Sequence, residues 1–174
     1  MKRELVWSMA MTLALFLGKG VTAAAQLEAT TASRLTELED REAIRLVLRD
    51  YGRLLDERDF DAFGRLFALD GEYVSAGRTT RGPVEIADSL RRVMAGNSLG
   101  IAEPNFHVLF NERIELNGDH ARATSQSFFV APGVDGSPHL VMMASYEDEL
   151  VRKGGRWLFA RRVVKGHVHA RHSK

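Results

Sequence analysis

Residues 36–60, TELEDREAIRLVLRDYGRLLDERDF, decide how the rest of the chain is read. Ile44, Val47, Leu48, Tyr51, Leu54 and Leu55 recur at helical spacing while Arg45, Arg49 and Arg53 fall on the other side. This spacing predicts an amphipathic helix with its apolar stripe in a core. Thr36 with Glu39 three residues on has the capping-box pattern, so order is expected to begin near Thr36. At the other end, Asp56 stands at the junction with a second helical pattern, for which Asp59 is a suitable N-cap. On a regular helix Asp56 lies about 140° from Tyr51, beside Arg49, Gly52 and Arg53, on what periodicity makes a solvated edge. A pocket position requires the helix to fray or turn there, and both readings stay open.

Downstream, Phe60, Phe63, Leu66 and Phe67 form the second helical face before Asp70-Gly71 breaks it. Residues 72–76 read as a short strand followed by a turn through Gly77 and Gly82. Pro83 suits the first turn of a third helix, with Val84, Ala87, Leu90, Val93 and Met94, stopped at Gly96-Asn97. Residues 107–116 and 121–131 then alternate as strands across the hairpin turn Asn117-Gly118-Asp119. After a loop at 133–138, residues 139–152 and 156–164 form a second hairpin across Lys153-Gly154-Gly155. Three helices followed by consecutive antiparallel strands predict an α+β fold, helices packed on one face of a curved, mostly antiparallel sheet.

The chain of 174 residues suits one domain. Apolar residues at 45% and charged residues at 27% are ordinary globular values and exclude a disordered chain. A net charge of +1 offers no basic surface for nucleic acid. Lys2-Arg3, the apolar run 5–17 and Ala23-Ala24-Ala25 read as a secretory signal peptide over residues 1–25. The run is shorter than the roughly 20 residues that span a bilayer, so no stable membrane insertion is expected after cleavage. The mature protein is then periplasmic or secreted; an uncleaved anchor is the alternative. Removing Lys2, Arg3, Lys19 and Glu4 would change the net charge from +1 to −1. With no cysteine there is no disulfide framework, which fits the cytosol and the periplasm equally. Residues 26–34 read as a flexible tether, 35–165 as the domain and 166–174 as a His-rich polar tail. His167, His169 and His172 in that tail have no framework for a functional metal.

The pattern resembles the SnoaL-like branch of the nuclear transport factor 2 (NTF2-like) superfamily. The residues that carry the resemblance are Arg41-Glu42-Ala43-Ile44, Tyr51, Asp56, Asp59-Phe60-Asp61, Phe67, Gly82-Pro83, His107 with Asn111, Asn117-Gly118-Asp119, Tyr146-Glu147-Asp148-Glu149 and Trp157 through Arg162. The resemblance implies a cone-shaped α+β fold, its bent sheet wrapped around a pocket closed by helices, and a homodimer formed through the sheet. Within the superfamily the chain is similar to the scytalone dehydratases, bile acid 7-alpha-dehydratases and hexachlorocyclohexane dehydrochlorinases, which eliminate a small leaving group with an aspartate and histidine pair. Asp56 matches the aspartate that closes the first helix and His107 the histidine that opens the strand after the third. Tyr51 matches the tyrosine of the bile acid enzymes, His139 resembles a second pocket histidine of the scytalone dehydratases, and Arg162 resembles the pocket arginine of the dehydrochlorinases. The chain departs from the scytalone dehydratases at Leu55, where they carry a tyrosine.

What the resemblance implies is therefore a lyase or isomerase that needs no cofactor and no metal, acting on a small apolar molecule. Histidine is the side chain whose ordinary range suits proton abstraction, so His107 would be the base and Asp56 its orienter. Tyr51 would donate a hydrogen bond and Arg162 a fixed charge to the leaving group. Asn111, His139, Phe110, Phe128 and Met142 are the candidate substrate-binding residues. Read alone, Tyr51 also fits the core, His107 a structural strand position and His139 a solvated loop. Arg161 and Arg162 point to opposite faces of the last strand, and alternation groups Arg162 with Leu158 and Ala160. A binding module without turnover and an accessory subunit remain as other classes.

Overall fold

The computed structural model describes residues 4–97 and 101–169 of the chain. The described residues up to Glu39 and those from Asp40 onward form two compact units. The first unit is the leading part of helix α1 (Glu4–Asp56). Residues 21–35 contain neither glycine nor proline and are rich in alanine, so the helix runs through 26–34, where a tether was expected. Thr36 is accordingly internal: its hydroxyl donates back to the Ala32 carbonyl at 3.1 Å, and the expected capping box does not form. The apolar run of the expected signal peptide falls where no side chain is described. Among the described residues, no helix is long and apolar enough to cross a membrane.

In the second unit, residues 40–56 of α1 bury the predicted stripe, with Ile44, Leu48, Tyr51, Leu54 and Leu55 all in the core. Each such side chain contributes roughly 1.5–3 kcal/mol on full burial. Helix α2 (Phe60–Gly64) starts at the Asp59 cap, whose carboxylate accepts from Ala62 N–H at 2.9 Å. It stops sooner than periodicity suggests. Any Cβ at Gly64 would lie 2.5 Å from the Pro83 carbonyl oxygen, so α2 abuts α3 (Pro83–Gly96), and Phe67 passes into a strand instead.

The described residues form six strands: β1 (Phe67–Ser75) and β2 (Arg78–Arg81) before α3, then β3 (Phe106–Asn117), β4 (His120–Pro132), β5 (Pro138–Lys153) and β6 (Arg156–His169). They form one sheet in the order β2-β1-β6-β5-β4-β3, antiparallel except where β1 runs parallel to β6. Strand β2 replaces the expected long turn. Ala76 and Gly77, with φ of 49° and 75°, make a two-residue hairpin turn between Ser75 and Arg78. Strand β6 reaches His169, so part of the expected polar tail is strand, and residues 170–174 lie outside the described residues. The α+β class holds, with helices packed on a curved, unclosed sheet. Its inner face carries Ala121, Ala123, Ser125, Ser127 and Phe129 on β4 and Ala144, Tyr146, Asp148 and Leu150 on β5.

Candidate active site

The contact between the end of α1 and the start of β3 brings Asp56 and His107 together. Asp56 is the last helical residue. Beyond it the chain leaves by a Schellman turn: Arg58 N–H donates to the Leu55 carbonyl at 3.2 Å and Asp59 N–H to the Leu54 carbonyl at 3.0 Å, with Arg58 at φ 62°. No fraying is needed to bring Asp56 inside, because β3 comes to it. His107, in the second position of β3, donates its backbone N–H to Asp56 Oδ2 at 2.8 Å, and its ring Nδ1 lies 2.6 Å from Asp56 Oδ1. A carboxylate only accepts, so Nδ1 carries the proton and Nε2 keeps a lone pair in the neutral ring.

Both side chains are largely shielded, His107 at 11% and Asp56 at 14% exposure. The imidazole stacks on Phe129, its cross-strand partner, with centroids 4.5 Å apart, and meets the edge of Tyr51 at 6.4 Å. Gly52 makes the approach of β3 possible. It lies one helical turn before Asp56, and a Cβ there would stand 2.8 Å from His107 Cβ.

Behind the dyad lies a layer of phenols around a buried cation. Tyr51 is in the core, its hydroxyl 3.1 Å from that of Tyr73, and packs against Phe63, Tyr146 and Phe159. Arg162 has no exposed surface. Its guanidinium carbon sits 3.9 Å from the Tyr51 ring centre and 4.0 Å from that of Tyr146, and its Nη1 donates to Asp148 Oδ2 at 3.2 Å. Burial pushes the Tyr51 hydroxyl well above its ordinary range, helped by Tyr73 and Tyr146 and opposed by Arg162. Burial likewise raises Tyr146, against Arg162 and a 2.7 Å hydrogen bond with Ser127. Asp148 is pushed up to about 6, chiefly by burial, with Arg162 opposing and Glu147 adding to the rise.

The choice between Arg161 and Arg162 follows from a bulge. Glu149 pairs with Arg161 and Leu150 with Phe159, leaving Ala160 as an extra residue that reverses the alternation of β6. Trp157, Phe159 and Arg162 therefore all face inward, while Arg161 turns out to Glu72 at 3.4 Å.

Four of the five substrate-binding candidates are not with the dyad. Asn111 is corrected to a structural position: with φ at 55° it occupies the β3 bulge between Phe110 and Arg113, and its amide donates to Gln126 on the outer face. Phe110 and Phe128 are corrected to the same outer face, where their rings pack on one another at 4.6 Å. Their parity is opposite to that of His107 and Phe129, which explains the error. His139 is exposed at the rim of the sheet, paired with Ala131. Met142 does face inward, opposite Phe129. A groove lined by Glu115, Asn117, His120, Arg122 and Glu149 is at the other end of β3 and shares no residue with the dyad. Among the described residues no three His, Asp or Glu side chains group as ligands for a metal.

Sequence reading missed Gly52, Tyr73, Ser127 and Asp148 as parts of this site. For Gly52 a cue existed, since a glycine inside a strongly helical pattern costs stability unless something packs close to it.

The SnoaL-like domain family model matches residues 36–163. Among solved structures, the chain is similar to an NTF2-like protein with a cystatin-like fold from Novosphingobium aromaticivorans, at 30% identity over 76% of this chain and 85% of that one, with a TM-score of 0.65. It is also similar in fold to a putative scytalone dehydratase from the same organism, at 21% identity over 80% and 92% of the two chains and a TM-score of 0.65. LinA shares the fold at 22% identity over 78% of this chain and 91% of that one, with a TM-score of 0.65. No curated protein matches.

Proposed function

The chain belongs to the SnoaL-like domain family, and from that premise we propose that it is a cofactor-independent lyase of the dehydratase type, or an isomerase, acting on a small apolar alicyclic or aromatic substrate. The observation that supports this most is the two-point hold of Asp56 on His107, through the backbone N–H and ring Nδ1 together. In this reading His107 Nε2 removes a proton from the carbon next to the one bearing the leaving hydroxyl. The C–H electron pair becomes the new double bond and the C–O bond breaks. The departing hydroxide takes the proton back from the imidazolium, so water leaves and the dyad is restored. In an isomerisation the imidazolium returns the proton to a different carbon.

Asp56 stabilises the imidazolium and holds the tautomer. Tyr51, kept protonated by burial, acts with Tyr73 as a neutral hydrogen-bond donor, and the Arg162 charge against the Tyr51 ring favours negative charge developing on the leaving oxygen. Phe129 and Met142 would line the apolar side of the substrate. Similarity in fold to a putative scytalone dehydratase points to the same reaction class.

The test is incubation with a panel of cyclic hydroxy-ketones and halogenated alicyclic compounds in D2O, followed by NMR and mass spectrometry. Elimination, or deuterium incorporation at carbon, that falls roughly 100-fold or more in His107→Gln supports the proposal. Saturable binding of the same compounds without turnover or exchange sinks it and favours a ligand-binding module.

Export with cleavage after residue 25 is tested by intact-mass measurement of the chain from a periplasmic fraction, where an N-terminus at Gln26 is expected. Pairing with a second copy through the sheet is supported by the apolar outer face, where Phe106 and Val108 are 56% and 49% exposed beside Phe110 and Phe128. Light scattering should find a dimer that Phe106→Asp splits; a wild-type monomer would end that proposal.

A further inference from the structure

Arg58 has a backbone conformation that glycine adopts without cost, yet its side chain is heavily engaged. At φ 62° it is the left-handed residue of the Schellman turn that ends α1. Its Nη1 donates to the Leu55 carbonyl at 2.7 Å and to Asn105 Oδ1 at 3.3 Å, and its Nη2 donates to Glu103 Oε1 at 3.0 Å. Leu55 immediately precedes Asp56, and Asn105 stands two residues before His107. Arg58 stands two residues after Asp56, so the Arg58–Asn105 contact is a second rung beside the Asp56–His107 contact, joining the same two segments. Asn105 is itself buried, and its Nδ2 reaches the Ala102 carbonyl at 3.4 Å, which ties the rung to the loop leading into β3.

We propose that Arg58 is a positioning residue that sets the Asp56–His107 geometry by bridging the end of α1 to Asn105, an inference that rests on the dyad reading above. The physical need is clear. Asp56 holds His107 only through the two bonds that the chemistry itself uses, and when the imidazole becomes charged those bonds must neither lengthen nor rotate. A tether outside the reacting pair fixes the separation of the two segments independently. Planar guanidinium geometry suits the task, because one nitrogen spans the helix carbonyl and the Asn105 amide while the other faces Glu103. The Glu103 arm is an exposed ion pair that contributes little; the Leu55 and Asn105 arms carry the bridge.

The left-handed backbone at Arg58 supplies a favourable test variant. Arg58→Gly removes the bridge while suiting φ 62°, and the backbone relief offsets the lost hydrogen bonds in part, so the full-length variant should fold with a melting temperature within a few degrees of wild type. Long-range proton–nitrogen NMR then reads the tautomer of His107 and the solvent exchange of its Nδ1 proton. The expected result is exchange at least about tenfold faster in Arg58→Gly and a mixed tautomer in place of a single one. Arg58→Lys, which keeps the charge without the fork, should behave like Arg58→Gly, and it serves as the reading if the glycine variant does not fold. Asp56→Asn is measured alongside. If Asp56→Asn abolishes the protected Nδ1 proton and both Arg58 variants leave it unchanged, Arg58 has no positioning role although the dyad stands. If Asp56→Asn also leaves it unchanged, the dyad reading fails and the Arg58 inference fails with it.

Discussion

Gly52 and His107 meet across the junction of α1 and β3, close enough that a single methyl at position 52 would come within 2.8 Å of His107 Cβ. The atom in the way is attached directly to the strand backbone, so relief requires β3 to move and not merely a rotamer change. Gly52→Ala should therefore lengthen the Asp56–His107 contact. Alanine gains about 1 kcal/mol over glycine inside a helix, against about 1–3 kcal/mol for overpacking. The clash is expected to win, with net destabilisation of about 1 kcal/mol in urea denaturation. Stabilisation, together with an unchanged His107 tautomer, would show that the strand yields freely there.

Asp56→Asn keeps the shape of the side chain and changes its chemistry. The amide oxygen can still accept the His107 backbone N–H, and the NH2 then faces ring Nδ1 as a donor. The ring must answer with a lone pair on Nδ1, which moves its proton to Nε2, the nitrogen the proposed reaction needs unprotonated. Turnover on any substrate found should drop roughly 10⁴-fold with the fold intact. A near-normal rate in Asp56→Asn with the Nε2–H tautomer demonstrated by NMR would exclude Nε2 as the base.

Asp148 gives stability a pH dependence of definite sign. Its folded value is raised to about 6 by burial, above that of an exposed aspartate. Between pH 4 and 6 the native state therefore holds a proton that the unfolded state has lost, so this group's contribution is present at low pH and declines as pH rises through about 6. Wild type should therefore lose a few kcal/mol relative to Asp148→Asn as pH rises over that window, with no further change above it. Urea midpoints across pH 4 to 7 measure it. A wild type that gains stability on the variant as pH rises would mean that Arg162 attracts the carboxylate more strongly than burial penalises it.

Periodicity was enough to read the helix stripe through Ile44, Leu48 and Tyr51 and the two long hairpins, because each buries one face and the burial repeats in the side-chain spacing. The pairing of Asp56 with His107 was legible only by resemblance, since helix geometry alone leaves Asp56 on an edge and nothing local says that a strand will cover it. Strand alternation alone could not place Arg162 or Asn111, because each lies at or beyond a bulge. A bulge adds one residue, shifts the side-chain phase and leaves no mark in an alternating pattern, so alternation groups Arg162 with Leu158 although it faces inward with Trp157 and Phe159; Phe110 precedes its bulge, and simple alternation from His107 already puts it on the outer face. Strand β2, the polar run Arg78-Thr79-Thr80-Arg81, buries almost nothing and so carried no pattern at all.

Asn111 separates the two accounts of that bulge. As a substrate ligand it would be indispensable; as the left-handed residue of a bulge, at φ 55°, it should be replaceable by glycine and by little else. Asn111→Gly loses only the exposed hydrogen bond to Gln126 and relieves the backbone, so stability should stay within about 0.5 kcal/mol and turnover should be unchanged. Asn111→Val must force a branched side chain into the same conformation and should cost about 1–3 kcal/mol. Because the bulge sets which face His107 and Leu109 present, the valine variant should also disturb the dyad, visible as a second His107 tautomer. Loss of turnover in a fully stable Asn111→Gly would instead return Asn111 to the substrate site, and would require β3 to turn its other face inward when substrate binds.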